Sequence, residues 1–313
     1  MAPPAPSLGG LVCEWIEAHC VIPDRDDRGK PFTLYGEQLL FLDRHYELKS
    51  TAQVGQLAPA FVHRRSLLVR PQKWGKGPLT AAQVCAEGVG PVLFAGWAAG
   101  GEVYDCRDHG CGCGFAYEFE PGEPMGRAWS TPLIQITALS EEQTENIYGA
   151  LRPMIEYGPL SEIIPRTGEE FIRLPGGGRI DTVTSSAQSR LGQRVTFVPQ
   201  DEVGLWNATN KMLKVADTQY RGLAGMGGRA VLTTNGWDPA EASVAQLAFE
   251  SPAQDINRDF VQAPANLSYG NKVERRRIHP TVYGDSLKSR AGHIDLDPIE
   301  AEAADPAARD IRQ

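Results

Sequence analysis

Short apolar runs alternate with helix-like stretches along most of the chain. Residues 61–69 form a strand-type run, and the apolar spacing of residues 80–88 predicts a helix directly after it. Residues 92–97 indicate another short strand. Because parallel strands need a crossover connection, this β-α-β order favours a parallel sheet with right-handed crossovers.

The alternation continues after residue 130. Residues 132–139 predict a strand, and the Ser140-x-x-Gln143 capping-box pattern predicts the start of the next helix. Residues 170–185 indicate a hairpin that turns at three consecutive glycines. The pattern as a whole predicts an α/β fold with a mainly parallel central sheet flanked by helices. Further strands are predicted at residues 195–198 and 229–234, and further helices at residues 11–21, after Gly36, at 215–223 and at 299–309.

Composition is that of an ordinary folded protein. With 313 residues, 42% hydrophobic and 22% charged, the chain can form one large α/β domain or two smaller ones. No apolar run approaches the ~20 residues that cross a bilayer, and the first ten residues lack the pattern of a secretory signal. Cytosolic residence is therefore expected, with no membrane partner.

Charge sets a limit on nucleic-acid binding. A net charge of −8 argues against a protein that covers nucleic acid with its whole surface. It leaves room for contact through a local basic patch, since the chain also carries three consecutive arginines at residues 275–277.

The stretch SLLVRPQKWGKGPL, residues 66–79, has the order strand, glycine-bearing loop, helix. That order places backbone N–H groups and a helix N-terminus around a phosphate, with Lys76 reaching the β- and γ-phosphates. The match to G-x-x-x-x-G-K-[ST] is incomplete, because Arg70 stands at the first glycine and Gly77 at the hydroxyl position. Taken alone, a Gly-Lys pair after a strand is more often an ordinary basic turn.

Two later strands end in polar residues that suit phosphate chemistry. Asp201 and Glu202 follow a buried-type run, where the first acid suits Mg²⁺ and the second a base that orients water. An isolated Asp-Glu pair is usually a plain acidic loop. Thr233, Thr234 and Asn235 could sense a phosphate through hydroxyl and amide groups, or simply end a strand at a turn.

Residues 99–130 interrupt the strand and helix rhythm. Cys106, His109, Cys111 and Cys113 could hold zinc, but their spacing is tighter than the usual paired arms. A hairpin insertion with free thiols is the favoured interpretation. Cys13, Cys20 and Cys85 lie in apolar segments and are expected to be reduced core thiols.

Gln38, RPQKWGKG, VTFVPQDE and LTTN occur in this order, and together they resemble the large terminase subunit of tailed double-stranded DNA bacteriophages, in its N-terminal ATPase domain. The resemblance covers roughly residues 30–310. It implies a P-loop NTPase fold of the RecA/ASCE-like type. Phosphate loops of this family commonly lack the first glycine and carry basic residues before the Gly-Lys pair, as Arg70, Gln72 and Lys73 do here.

The resemblance also implies roles for individual positions. Gln38 would recognise adenine, Lys76 would be the Walker A lysine and Lys73 an auxiliary basic residue. Asp201 would be the Walker B magnesium acid and Glu202 the catalytic glutamate. The remaining assignments are a nucleotide-binding loop of Arg70, Pro71, Gln72, Lys73, Trp74, Gly75, Lys76, Gly77 and Pro78, a coupling motif of Thr233, Thr234 and Asn235, and a trans-acting arginine at Arg190 or else Arg194.

The implied activity is Mg²⁺-dependent ATP hydrolysis that drives double-stranded DNA into a procapsid. The implied partners are the DNA, a portal protein, a small terminase subunit and identical subunits in a ring, in the host cytoplasm and transiently on the procapsid. A helicase-like DNA translocase and a non-catalytic nucleotide- or nucleic-acid-binding module, with Gly77 as the symptom of lost turnover, are the alternatives. A zinc-dependent nucleic-acid reader built on residues 106–113 is a further one.

The expected organisation has three parts: an N-terminal tail and helix at residues 1–30, the P-loop ATPase domain at 31–270 with its insertion at 99–130, and a linker at 271–313. The acidic residues between 295 and 305 are too crowded on one segment to build a nuclease site from several strands. Nuclease activity is therefore not expected from this chain, and the nuclease domain is expected to lie outside it.

Overall fold

The computed structural model describes residues 5–184, 193–290 and 292–304. The strands are β1 (Arg65–Val69), β2 (Leu93–Trp97), β3 (Val103–Asp105), β4 (Ala116–Glu118), β5 (Pro124–Arg127), β6 (Leu133–Thr137), β7 (Phe171–Arg173), β8 (Arg179–Val183), β9 (Phe197–Gln200), β10 (Arg229–Thr234) and β11 (Ile256–Phe260). The helices are α1 (Gly9–His19), α2 (Gly36–His45), α3 (Lys76–Val89), α4 (Glu141–Glu156), α5 (Met212–Met226), α6 (Val244–Glu250), α7 (Lys272–Tyr283) and α8 (Leu296–Ala304).

A seven-stranded sheet organises the chain, in the order β11-β1-β10-β9-β6-β8-β7. Every neighbouring pair is parallel except β7 and β8 at one edge, which are antiparallel. The predicted α/β fold with a mainly parallel sheet is confirmed. Strand β10 separates β1 from β9, so the segments that leave these three strands emerge side by side at one edge.

Apolar side chains from helices on the sheet faces make the core. Helix α3 packs against α4, and α1 packs against α2 and α3. The main cluster includes Trp15 of α1, Trp74 and Phe41, each with at most 1% of its surface exposed. Helix α1 therefore shares its core with the central domain. Among the described residues, no helix is both long and apolar enough to span a bilayer.

One strand lies elsewhere than the β-α-β pattern predicts. Strand β2 forms as expected but leaves the central sheet and pairs antiparallel with β5. The next strand of the central sheet after α3 is β6. The β2–β5 ribbon packs closely on its surroundings, since a Cβ at Gly126 would lie 2.8 Å from Leu11 of α1. The apolar run at β2 is thus buried against α1 and the β5 strand, which periodicity alone cannot distinguish from burial in a sheet.

The predicted 99–130 insertion contains an antiparallel hairpin, β3 with β4, followed by β5. The predicted 170–185 hairpin is present as β7 and β8. Strand β11 and helices α6 and α7 have no counterpart among the predicted elements. Strand β11, INRDF, carries three polar residues in five and yet pairs with β1 along its whole length.

Candidate active site

The segment that connects β1 to α3 lies at the carboxyl edge of the sheet. Gly75 caps α3 with φ 110°, in the left-handed region that a side chain would strain. Lys76 and Gly77 open the helix, so their N–H groups have no intrahelical acceptor. Among the described residues these two N–H groups have no other protein acceptor either. Pro78 stands in the first turn, where a missing N–H costs nothing.

Lys76 is buried behind this loop. Only 7% of the residue is exposed, and Nζ donates to Arg70 O at 2.9 Å, Pro71 O at 3.1 Å and Asn235 Oδ1 at 2.6 Å. Burial lowers the Lys76 pKa to about 8, against the opposing pull of Glu202 and Asp201. A further negative charge near Nζ would be favourable, because it would offset the cost of burying the ammonium group.

Asp201 follows β9 and is held by two donors. Thr233 Oγ1 donates to Asp201 Oδ1 at 2.7 Å, and Asn146 Nδ2 donates to Asp201 Oδ2 at 3.0 Å. The Asp201 backbone N–H donates to Thr137 O at 2.9 Å, at the end of the neighbouring β6. With 4% of the residue exposed, the carboxylate has a fixed direction at the sheet edge.

Glu202 has a left-handed backbone, with φ 52° and ψ 43°. This conformation is uncommon for a residue other than glycine and is found most often at functional sites. Asn235 Nδ2 donates to Glu202 Oε1 at 2.9 Å. Burial raises the pKa of Glu202, while Lys76 opposes the rise and Asp201 adds to it.

Asn235 thus bridges the two charged groups. Its Oδ1 accepts from Lys76 Nζ and its Nδ2 donates to Glu202, so one amide joins the loop after β1 to the loop after β9. Thr234 is buried beside it, and its Oγ1 accepts from Gly204 N at 3.1 Å. Lys76, Asp201, Glu202, Thr233, Thr234 and Asn235, which sequence reasoning placed in one site, lie together.

The lack of space around position 77 explains why this residue is a glycine. A Cβ at position 77 would lie 2.4 Å from Asn146 O, because α3 and α4 approach closely there. The Ser or Thr of the usual phosphate loop therefore does not fit this backbone. Asn146, whose carbonyl occupies that space, also supplies the amide that contacts Asp201. Sequence reasoning missed Asn146, since it lies inside α4 with no pattern to mark it.

Arg70 turns away from the loop. Its guanidinium forms an ion pair with Asp259 Oδ1 of β11 at 2.5 Å and lies 5.1 Å from the centre of the Trp74 ring. The two charged side chains are 3% and 10% exposed. Only the Arg70 backbone carbonyl faces the site, where it accepts from Lys76. The residue thus connects the loop to β11.

Gln38 lies beside the loop. It is 2% exposed, and its Oε1 accepts from Tyr35 N at 3.0 Å, which caps α2. A Cβ at Gly75 would be 3.5 Å from Gln38 Nε2. The side chain is therefore next to the phosphate loop and already holds one hydrogen bond.

The segment after α7 contacts the same loop from outside. Tyr283 Oη donates to Gln72 O at 3.2 Å, and His293 Nε2 donates to Lys73 O at 2.9 Å. Lys73 itself has a left-handed backbone, with φ 70°. Neither Tyr283 nor His293 was marked by the sequence.

The candidate trans-acting arginines are Arg190 and Arg194. Arg190 lies outside the described residues. Arg194 is exposed and precedes β9, whereas Asp201 follows that strand, so Arg194 lies toward the opposite end of the sheet. Within its own chain Arg194 does not reach Lys76 or Glu202. A neighbouring chain is the only place where it could complete such a site.

The parallel sheet carries a lysine-bearing loop after β1 and two acids after β9, and β10 lies between these two strands. This arrangement defines a P-loop NTPase fold. The fold of the HK97 bacteriophage large terminase agrees with this description. The HK97 bacteriophage large terminase superposes with a TM-score of 0.62 at 17% identity, over 95% of this chain and 51% of that chain. The Thermus phage P74-26 large terminase ATPase domain gives a TM-score of 0.42 at 14% identity, over 88% of this chain and 96% of that chain.

Sequence comparison gives phage proteins as well. The Gene 13 protein of Mycobacterium phage L5 is 27% identical over 266 residues, which is 79% of this chain and 41% of that protein. The Gene 13 protein of Mycobacterium phage D29 is 26% identical, over 91% of this chain and 49% of that protein. The chain thus spans about half the length of the relatives it matches. No family model matches the chain. The resemblance to phage large terminases is confirmed in the fold.

Proposed function

We propose that this chain is the ATP-hydrolysing motor domain of a phage terminase large subunit. The observation that carries the proposal is the convergence of Lys76, Asp201 and Glu202 at one sheet edge, tied together by Asn235. The fold shared with the HK97 large terminase supports the same assignment.

The loop suits a triphosphate. Free N–H groups at the start of α3 and the ammonium group of Lys76 provide donors of the right kind. Burial lowers the pKa of Lys76, and a bound anion would offset the cost of burying its charge. Residues of the loop that face outward would contact the phosphates through backbone atoms, since the Arg70 side chain is occupied by Asp259.

Asp201 fits a magnesium ion. Mg²⁺ retains several waters and needs only one or two carboxylates, so a site with a single committed acid is sufficient. The ion would neutralise charge on the phosphates. Asn146 and Thr233 orient the acid, and Asn146 would replace the positioning that a loop hydroxyl usually gives.

Glu202 is placed to hold the attacking water. Burial raises its pKa toward the range of a useful base, and Asn235 fixes the carboxylate. Lys76 lies close enough to oppose that rise and would stabilise charge on the γ-phosphate. When nucleotide draws Lys76 away from Asn235, the Asn235 amide loses one of its two contacts. Its movement would then shift Glu202 or the loop after β10. This link would couple turnover to motion.

The work would be translocation of double-stranded DNA into a procapsid by a ring of such subunits, docked on a portal and supplied by a small terminase subunit. An arginine from the next subunit, Arg190 or Arg194, would complete each site. Phosphate contacts would dominate DNA binding, which would therefore weaken as salt rises. The protein would act in the host cytoplasm, transiently on the procapsid.

Gly77 no longer favours the non-catalytic alternative. Its missing hydroxyl follows from the close contact between α3 and α4. Loss of turnover is not needed to account for it.

The test is phosphate release in the presence of ATP, Mg²⁺ and double-stranded DNA. Glu202→Gln keeps the size of the side chain and removes the base, so turnover should fall by about 10² to 10⁴-fold. Glu142→Gln, at an exposed position on α4, is the matched control and should turn over like the parent. Equal rates for the parent and Glu202→Gln would contradict the role of Glu202.

A further inference from the structure

A second cluster of chemically active side chains shares no residue with the site at the sheet edge. His19 ends α1, and Cys106, Cys111 and Cys113 lie between β3 and β4. One ligand atom from each lies within 4.8 Å of all the others. His19, Cys106 and Cys111 are buried, and Cys113 is exposed.

We propose that these residues form a structural zinc site with a Cys₃His ligand set. Such sets are among the common closed sites for Zn²⁺, in which four protein ligands leave no position for water or substrate. The function of the site would be to join the 99–130 insertion to α1. The proposal does not depend on ATP hydrolysis.

Two of the separations are close to those of tetrahedral zinc. Cys106 Sγ lies 3.2 Å from Cys113 Sγ, and Cys113 Sγ lies 3.3 Å from His19 Nε2. Bonds of about 2.3 Å to sulfur and 2.0 Å to nitrogen place neighbouring ligand atoms roughly 3.5–3.8 Å apart around a tetrahedral ion. Shifts of a few tenths of an ångström at these two contacts would bring the ligands into coordination.

The surroundings of His19 prepare it for a metal. Nδ1 lies 2.8 Å from Trp15 O, and since a carbonyl only accepts, Nδ1 must carry the proton. The lone pair is then on Nε2, the atom that faces Cys113. Metal-bound histidines typically donate their second N–H in this way. The Trp15 ring stacks on the imidazole at 4.3 Å and fixes its plane.

Backbone N–H groups also support the cysteines and the turn that carries them. Phe115 N donates to Cys113 Sγ at 3.4 Å, a contact that stabilises a thiolate. Cys111 N donates to Cys106 O at 3.1 Å, which closes the turn that carries these two cysteines. Gly112 N donates to Glu162 Oε2 at 2.6 Å and anchors the turn to the rest of the domain.

The structure groups the three cysteines with a different histidine from the one suggested by the sequence. His109 is exposed and stacks on Tyr104 at 4.8 Å, whereas His19 approaches Cys113 from 94 residues away. The fourth candidate ligand, His19, comes from α1 and not from the segment that carries Cys106, Cys111 and Cys113. Residues 106–113 alone do not bring four candidate zinc ligands together in the structure.

Zinc content of the 313-residue chain tests the site. The protein is expressed with added zinc, purified without chelator, and analysed by inductively coupled plasma mass spectrometry. About one zinc ion per chain is expected. His19→Ala should weaken zinc binding at least about 100-fold, and His109→Ala, the matched control, should keep it.

A metal exchange avoids any question about folding of the variants. Replacing zinc by Co²⁺ in the parent chain should give the strong thiolate-to-cobalt absorption of a tetrahedral site. Each of three results would overturn the proposal: a parent chain without zinc, zinc lost in His109→Ala but kept in His19→Ala, or an intact mass showing a Cys106–Cys113 disulfide.

Discussion

Asn235 is the residue that gives the candidate site its connectivity. Its amide contacts Lys76 through oxygen and Glu202 through nitrogen, so the position of the lysine and that of the glutamate depend on each other. A carboxylate at this position would bind Lys76 but repel Glu202, and an aliphatic side chain would remove one hydrogen bond from each. An amide is the side chain that can satisfy both at once.

Lys76 gives a prediction about pH. Its pKa is about 8 without nucleotide, so at higher pH the amine becomes neutral and a bound triphosphate must restore the proton. ATP affinity should therefore fall above about pH 8, by up to about tenfold per pH unit, with uptake of a proton on binding. Calorimetric titrations in buffers of different ionisation enthalpy would measure both effects.

Lys76→Arg is the control for that titration. A guanidinium stays charged over this range, so its ATP affinity should change little between about pH 7.5 and 9.5. A parent protein whose affinity is equally flat would show that Lys76 does not titrate in the free site.

Gly77 gives a second prediction. Gly77→Ser restores the usual loop hydroxyl, but its Cβ would meet Asn146 O at 2.4 Å. The variant should lose about 1–3 kcal/mol of stability through the forced shift of α3 against α4, and its turnover should not rise. Urea unfolding and phosphate release would show this. A more active and equally stable Gly77→Ser protein would mean that the helices have room at this position.

Site residues were predictable from the sequence where a reactive side chain directly follows a strand-type run. Lys76, Asp201 and Glu202 follow strand-type runs directly, so the ends of those runs located them. Asn146 was not predictable, because its role depends on how close α4 comes to α3. The position of Arg70 in the chain predicts that its side chain belongs to the loop. In the structure this side chain instead forms an ion pair with the buried Asp259, the fourth residue of β11.

At the scale of elements, apolar runs located most of the central sheet. Strands β1, β6, β9 and β10 are continuous runs of buried residues, which the sequence displays. Strand β11 is polar and could not be found in this way. It is held instead by β1 and by Arg258, which donates to the carbonyls of Ala248 and Phe249 at 3.1 and 3.0 Å.

The ion pair between the loop after β1 and strand β11 gives a prediction at this scale. Asp259→Ala would leave the Arg70 charge buried without its partner, which typically costs about 3–5 kcal/mol. Thermal or urea unfolding of the variant would measure the loss.

The Arg64–Asp255 pair joins the same two regions at the other end and is the matched control. Its side chains are 53% and 31% exposed, so Asp255→Ala should cost no more than about 1 kcal/mol. Equal losses for Asp255→Ala and Asp259→Ala would contradict a special role for the buried pair.

On the scale of the whole molecule, the segment after α7 is in contact with the loop between β1 and α3. Tyr283 and His293 donate to the carbonyls of Gln72 and Lys73, so a shift of the loop would be felt at the end of α7 and before α8. A segment expected from sequence to be only a linker is thus in a position to sense the state of the loop. Such contacts between distant parts of the chain have no local sequence signal.

A trans-acting arginine is a prediction for the assembled protein. If Arg194 enters the neighbouring site, Arg194→Ala and Glu202→Gln should each be nearly inactive alone. A mixture in a DNA-bound ring should regain activity, because some interfaces then pair an intact Glu202 with an intact Arg194. Phosphate release by the mixture, compared with the sum of the separate variants, measures this. No gain on mixing would exclude Arg194 and leave Arg190 to be tested in the same way.

The most direct test of the whole account is a crystal structure of this chain with Mg²⁺ and a non-hydrolysable ATP analogue. The triphosphate should lie against the first turn of α3, with Lys76 Nζ within hydrogen-bond distance of a γ-phosphate oxygen. Asp201 should contact the magnesium shell, and Glu202 should face the γ-phosphate. Nucleotide bound elsewhere, or bound here with Lys76 still held by Asn235 and Asp201 remote from the metal, would contradict the proposed function.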